Sequence, residues 1–174
     1  MTALRKALFV FALLATFTLN TGSYVRAADA LAAPSGPVIL TVDGSITVTN
    51  VDGTAQFDRD MLSALGMKKL VTSSPFEPGM HTFEGVLLSD VLSRVGASGE
   101  TITAKALDGY EIDMPMIDPQ TYPVLLATTW NGKIMRIRDK GPIWIVYPVD
   151  QFSELNVEEY SSRSVWQMTR LSIR

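Results

Sequence analysis

The sequence predicts a mixed α+β domain with a largely β core. Three observations predict it. Short β-branched or alternating apolar segments recur, each closed by a turn dipeptide. Only two stretches carry helical spacing. There is no internal repeat and no alternating strand–helix rhythm of the kind that builds a parallel sheet.

In chain order, residues 38–42 are a β-branched run ending in Asp43-Gly44, and 46–51 a second run ending in Asp52-Gly53. Both read as short strands. Residues 57–65 place Phe57, Met61, Leu62 and Leu65 at helical spacing, with Asp58 as N-cap and Gly66 as the stop. Residues 69–72 read as a strand. The following segment, 72–82, reads as a loop because Pro75 and Pro78 interrupt regular structure. Residues 86–95 present Val86, Leu87, Val91, Leu92 and Val95 on one face of a second helix, closed by Gly96.

Residues 102–107 and 110–114 alternate across Asp108-Gly109, the strongest hairpin signal in the chain. Ile102, Ala104 and Ala106 share one face, and Tyr110, Ile112 and Met114 share one on the second strand. Residues 123–130 form an apolar strand that turns at Asn131-Gly132 and returns through 133–137. The run 143–147, IWIVY, is apolar without alternation and is expected to be buried on both faces. Residues 165–173 close the chain, with Val165, Gln167, Thr169, Leu171 and Ile173 expected on one face.

The first residues indicate export. Arg5 and Lys6 precede a stretch, 7–19, that is apolar apart from Thr16 and Thr18, and Val25-Arg26-Ala27 offers small residues for a peptidase. This reads as a secretory signal peptide over 1–27, since the apolar core is too short to span a bilayer. A second possible cut follows Ala30. Residues 28–37, small and proline-containing, read as a flexible lead-in, and 38–174 as a single domain. The expected location is the periplasm, with no stable membrane insertion of the mature chain.

Acids outnumber bases, 18 to 15, and removal of Arg5, Lys6 and Arg26 widens the difference. That balance argues against nucleic acid and anionic membranes as partners. With no cysteine, disulfides, thiolate catalysis and thiolate-ligated metal sites are excluded. There is no dinucleotide fingerprint, phosphate loop, Gly-x-Ser-x-Gly elbow or zinc-type histidine pair. His81 is the one histidine, after Pro78-Gly79-Met80. Its imidazole could donate to a ligand, or bond plainly to backbone. Glu111 and Asp113 flank Ile112 on the outer face of a strand and read as solvated. Arg136, Arg138 and Lys140 suit an anion or a solvated face. The tryptophans at 130, 144 and 166 and the scattered methionines fit core packing.

The order of pieces carries a resemblance. VILTVDGSITVTNVDG, FDRDMLSALG, FEGVLLSDVLSRVGA, ITAKALDGYEIDMP, LLATTWNGKIM and KGPIWIVYP follow one another as in the molybdopterin-binding domain of the sulfite oxidase type. That family includes the catalytic subunit of the periplasmic methionine-sulfoxide reductase. The most specific parts are Phe83-Glu84-Gly85-Val86 with the helix after it, Asp108-Gly109-Tyr110, and Gly141-Pro142 leading to Pro148. The resemblance implies that fold and, in catalytic members, molybdopterin with molybdenum held by a cysteine just before the loop and helix. Here that place falls at Thr72, Ser73 and Ser74. A protonated hydroxyl is a poor replacement for a soft thiolate. Trp144 stands where arginine is often found, and near the C-terminus the basic residue is Arg163, followed by Trp166.

The resemblance implies a cofactor-contacting set of Ser73, Ser74, His81 and Arg163, with no catalytic residue and no metal ligand. The function expected is a non-catalytic periplasmic module for a small anionic or pterin-like ligand, or a partner for a membrane-anchored sensor or redox protein. The alternative is a molybdopterin-dependent oxidoreductase with non-cysteine ligation. The leader lacks a twin arginine, which exported enzymes loaded with cofactor usually need, and so agrees with a cofactor-free protein.

Overall fold

The computed structural model describes residues 30–174, so the predicted signal peptide and the first two lead-in residues lie outside the described residues. Two sheets share the domain. The first contains β1 (Leu40–Gly44), β2 (Ala55–Phe57), β5 (Thr101–Ala106), β6 (Glu111–Pro115) and β10 (Met168–Ile173), in the order β2-β1-β10-β5-β6. β1 lies parallel to β10, and the other pairs are antiparallel. The second contains β3 (Lys68–Ser74), β4 (Glu77–Leu87), β7 (Leu125–Trp130), β8 (Lys133–Ile134) and β9 (Trp144–Val146). Its order is β3-β4-β7-β8, with β9 also paired to β7.

The helices are short: α1 (Arg59–Ser63), α2 (Leu88–Arg94), α3 (Ile117–Thr121) and α4 (Glu158–Arg163). The architecture is mixed α and β with a sheet-dominated core. α1 and α2 fall within the two predicted helical stretches, whereas α3 and α4 have no apolar periodicity to announce them. Asp58 caps α1 as expected, accepting from the Met61 amide at 2.9 Å. Its other oxygen accepts from the amides of Ser35 and Gly36, both at 2.9 Å. These bonds hold the carboxyl below its ordinary range, the Met61 amide first. They also tie the segment before β1 to the domain.

β9 is buried on both faces, as its unbroken apolar run implies. Ile143, Ile145 and Tyr147 enter a large core with Val42, Leu88, Val91, Met114, Leu126 and Leu171. Trp144 and Val146 enter a smaller one with Leu70, Phe83, Leu125, Ala127 and Met135. The second sheet is therefore sandwiched, with one apolar cluster on each side.

Five expectations change. The strand returning after Asn131-Gly132 spans only Lys133–Ile134. Residues 46–51 are not a strand. The amides of Thr47 and Val48 both donate to the Val95 carbonyl at the end of α2, at 3.0 Å each, so this segment completes a helix terminus rather than a ladder. The tight turn at Asp52-Gly53 is present, with φ of 47° and 74°, and it feeds β2. The predicted loop 72–82 is a hairpin instead. Only Pro75 and Phe76 form the turn between β3 and β4. Pro78 is tolerated because the register shifts between Ser73 and Ser74, making a bulge beside it.

The second predicted helix begins late, since Val86 and Leu87 still belong to β4. In the last strand the alternation predicted from Val165 is reset. Gln167 has φ of 52° and the register shifts between Met168 and Arg170, so Met168, Leu171 and Ile173 face the core.

The Phe-Glu-Gly-Val run has a steric reason for its glycine. A Cβ on Gly85 would lie 2.0 Å from the Leu126 carbonyl oxygen and 2.7 Å from the Ala127 Cα, where the pairing of β4 with β7 shifts register. Both neighbours are backbone and cannot rotate away. Gly85→Ala should therefore cost about 3 kcal/mol, read as a lower midpoint in urea unfolding of the purified protein. An unchanged midpoint would show that the two strands separate freely.

Candidate functional site

The segment Thr72 to Ser74, where the resemblance would place a metal ligand, is engaged by Asp150. Asp150 follows β9 in a turn where Gln151 and Phe152 donate to the Pro148 carbonyl. Its carboxylate accepts from the Thr72 hydroxyl at 2.8 Å, the Ser73 amide at 2.5 Å and the Ser73 hydroxyl at 2.8 Å. Thr72 is fully buried. The Ser73 amide, then the Ser73 and Thr72 hydroxyls, hold the Asp150 carboxyl below its ordinary range. Nothing in the sequence Pro148-Val149-Asp150 marks Asp150 as a partner for residues across the sheet. Ser74 is used locally, accepting from the Phe76 amide at 3.2 Å. The depression beside Ser73 and Ser74 is about 10 Å³, barely the space of one water.

His81 lies opposite Thr72 in the hairpin and is held between two elements. Asn131 accepts from the Thr82 amide at 2.9 Å, which fixes its amide orientation. Its nitrogen then faces His81 Nδ1 at 3.2 Å. Nδ1 must accept, so Nε2 carries the proton and donates to the Glu77 carbonyl at 3.3 Å. The ring packs edge-on against Trp130 and Phe83. These contacts are those of a histidine that fastens β4 to the β7–β8 turn.

Arg163 is not brought to the hairpin. It closes α4 and turns inward, donating to Asp118 at 3.0 Å, to Glu159, and lying over the Tyr160 ring at 5.1 Å. Asp118 is 3% exposed and also accepts from the Tyr147 hydroxyl at 2.8 Å. Burial, reinforced by the Asp118 charge, pushes the Tyr147 hydroxyl far above its ordinary range. Of the four residues proposed from sequence, Ser73, Ser74 and His81 share the hairpin, and Arg163 belongs to this separate buried network.

A cavity of about 430 Å³ opens between the hairpin tip, the β5–β6 turn and α4. Phe76, Tyr110 and Trp166 supply rings, and Asp108 and Glu158 supply carboxylates. Phe76 meets Trp166 edge-on with centroids 4.5 Å apart. Across the cavity the Tyr110 hydroxyl donates to the Ser162 carbonyl at 3.1 Å. No lysine or arginine lines it. Lys140 lies over the Trp166 ring at 4.7 Å and pairs with Glu77 at 3.1 Å, which braces the tip from outside. A second, more open depression of about 710 Å³ lies along 130–139. Its Arg136 is engaged with Asp139 at 2.7 Å. Among the described residues, no group of three or more histidine and acidic side chains could hold a metal ion.

No family model and no curated protein matches this chain. Among solved structures, it is similar to the sulfane dehydrogenase SoxCD from Paracoccus pantotrophus, with TM-score 0.56 and 19% sequence identity. The match covers 77% of this chain and 37% of that one, so the chain spans well under half its length. This shows a distant likeness of fold to that enzyme.

Two predictions follow from these networks. The depressed Asp150 carboxyl stabilises the hairpin wherever it is ionised in the fold. That contribution is complete above the ordinary carboxylate pKa, near 3.8, and is lost as pH falls through the lower folded value. At neutral pH, Asp150→Asn should raise amide exchange at residues 72–76, with the difference from the parent protein shrinking in strong acid. Equal exchange at neutral pH would remove the anchoring role. Separately, Arg163→Ala leaves a buried Asp118 charge unpaired and should cost about 3 kcal/mol of unfolding free energy. Glu159→Ala, at the exposed end of the same network, should cost under about 1 kcal/mol. Equal losses in denaturant unfolding would contradict this division.

Proposed function

We propose that the protein is a periplasmic, non-catalytic binding module on a sulfite-oxidase-type fold. The observation that carries this reading is the Asp150 seat. The position of the family's thiolate holds Thr72 and Ser73, and both hydroxyls donate to one carboxylate. Both hydroxyls are thus already engaged as donors to Asp150, and a protonated hydroxyl is a poor soft ligand for a metal.

The cavity beside the hairpin does not suit molybdopterin. That cofactor carries a phosphate, and the nearby cavity offers carboxylates with no lysine or arginine. Arg163, the basic residue suggested by the resemblance, is engaged with Asp118. A small anionic ligand meets the same objection in this cavity, because carboxylates repel it and nothing offsets its lost hydration. The cavity is nonetheless the right size for a small molecule, where about 300–1,000 Å³ is usual. A ligand held there, read out by a membrane-anchored sensor, suits an exported protein without catalytic groups.

Expression in a host that makes the cofactor, followed by elemental analysis of the purified protein, tests the reading. The expected result is no molybdenum above background. A near-stoichiometric signal would replace this reading with an oxidoreductase ligating the metal through oxygen, for which Ser73→Ala and Ser74→Ala would identify the ligand.

A further inference from the structure

We propose that the cavity beside Trp166 binds a small organic cation, an ammonium head on an apolar or aromatic body. The inference rests on the binding-module reading and adds the class of ligand. Two rings at the cavity are left open to solvent, Tyr110 at 44% and Phe76 at 36% exposure. Both are held in place, Phe76 against Trp166 and Tyr110 through its bond to Ser162. Rigid, exposed aromatic faces around a concavity give an apolar body something to cover without first having to be ordered.

Charge selects the head group. Asp108 uses one oxygen to accept from the Tyr110 amide at 2.9 Å. No lysine or arginine among the described residues forms an ion pair with Asp108 or Glu158. The neighbouring cations are already neutralised, Lys140 by Glu77 and Arg163 by Asp118 and Glu159. Ring faces attract cations through their quadrupole, and unpaired carboxylates at the same wall add to that attraction. Lys140 over Trp166 is an internal example of the same contact. An anion would meet the reverse field.

The test is a fluorescence titration of the purified protein with three probes of one shape: benzyltrimethylammonium, neutral neopentylbenzene and phenylmethanesulfonate. Trp166 lines the cavity and reports occupancy. The cation should bind saturably, with the other two at least about tenfold weaker. Asp108→Asn together with Glu158→Gln should weaken cation binding about tenfold. Both changes keep the side-chain shape, and an unaltered unfolding midpoint will show that the fold is intact. The proposal is overturned if the cation does not bind, if the sulfonate binds as tightly, or if the double variant keeps the parent affinity. Preference for the sulfonate by molybdenum-free protein would remove the cation assignment alone. Loading with molybdenum would instead remove the binding-module reading beneath it.

Discussion

β9 is the constraint on which the rest of the structure depends. Five consecutive apolar residues, Ile143 to Tyr147, are each no more than 5% exposed. A strand points successive side chains to opposite faces, so such a run is stable only between two apolar layers. Burial of each large side chain stabilises the fold by about 1.5–3 kcal/mol, and β9 provides this on both sides at once. The large core closes over Ile143, Ile145 and Tyr147, and the aromatic cluster over Trp144 and Val146.

The features of the site follow from those two faces. Tyr147 brings its hydroxyl to Asp118, and this in turn demands the Arg163 charge, because a buried carboxylate is stable only when paired. Trp144 sits edge-on to Phe83, Trp130 and Trp166, and Phe76 at the hairpin tip packs against that assembly. The turn just after β9 delivers Asp150 to Thr72 and Ser73. The tip of the hairpin and the strand just before it are thus both referenced to β9 and the turn after it, which explains how a segment with two prolines and two glycines is held as ordered β-structure.

The distant likeness to the sulfane dehydrogenase concerns the scaffold alone. A fold positions loops, and function resides in the side chains placed on them. Here the hairpin presents hydroxyls already bonded to Asp150, and the cavity presents rings and carboxylates.

The sequence by itself determined the local structure: the hairpin around Asp108-Gly109, the Asp58 cap, the turn at Asn131-Gly132 and the doubly buried IWIVY strand. Each is a matter of backbone preference or apolar period, legible within a few residues. It also excluded thiol and disulfide chemistry, through the absence of cysteine. Only the tertiary structure decided the rest. Asp150 lies 78 positions from Thr72, and Asp118 lies 45 from Arg163. No local pattern marks such pairs, since a lone acid between strands looks the same whether it is solvated or gripped. The 46–51 run alternates as a strand would, but the end of α2 competes for its amides and wins. The sign of the cavity depends on which charges are neutralised elsewhere, and that is set by side chains converging from distant segments.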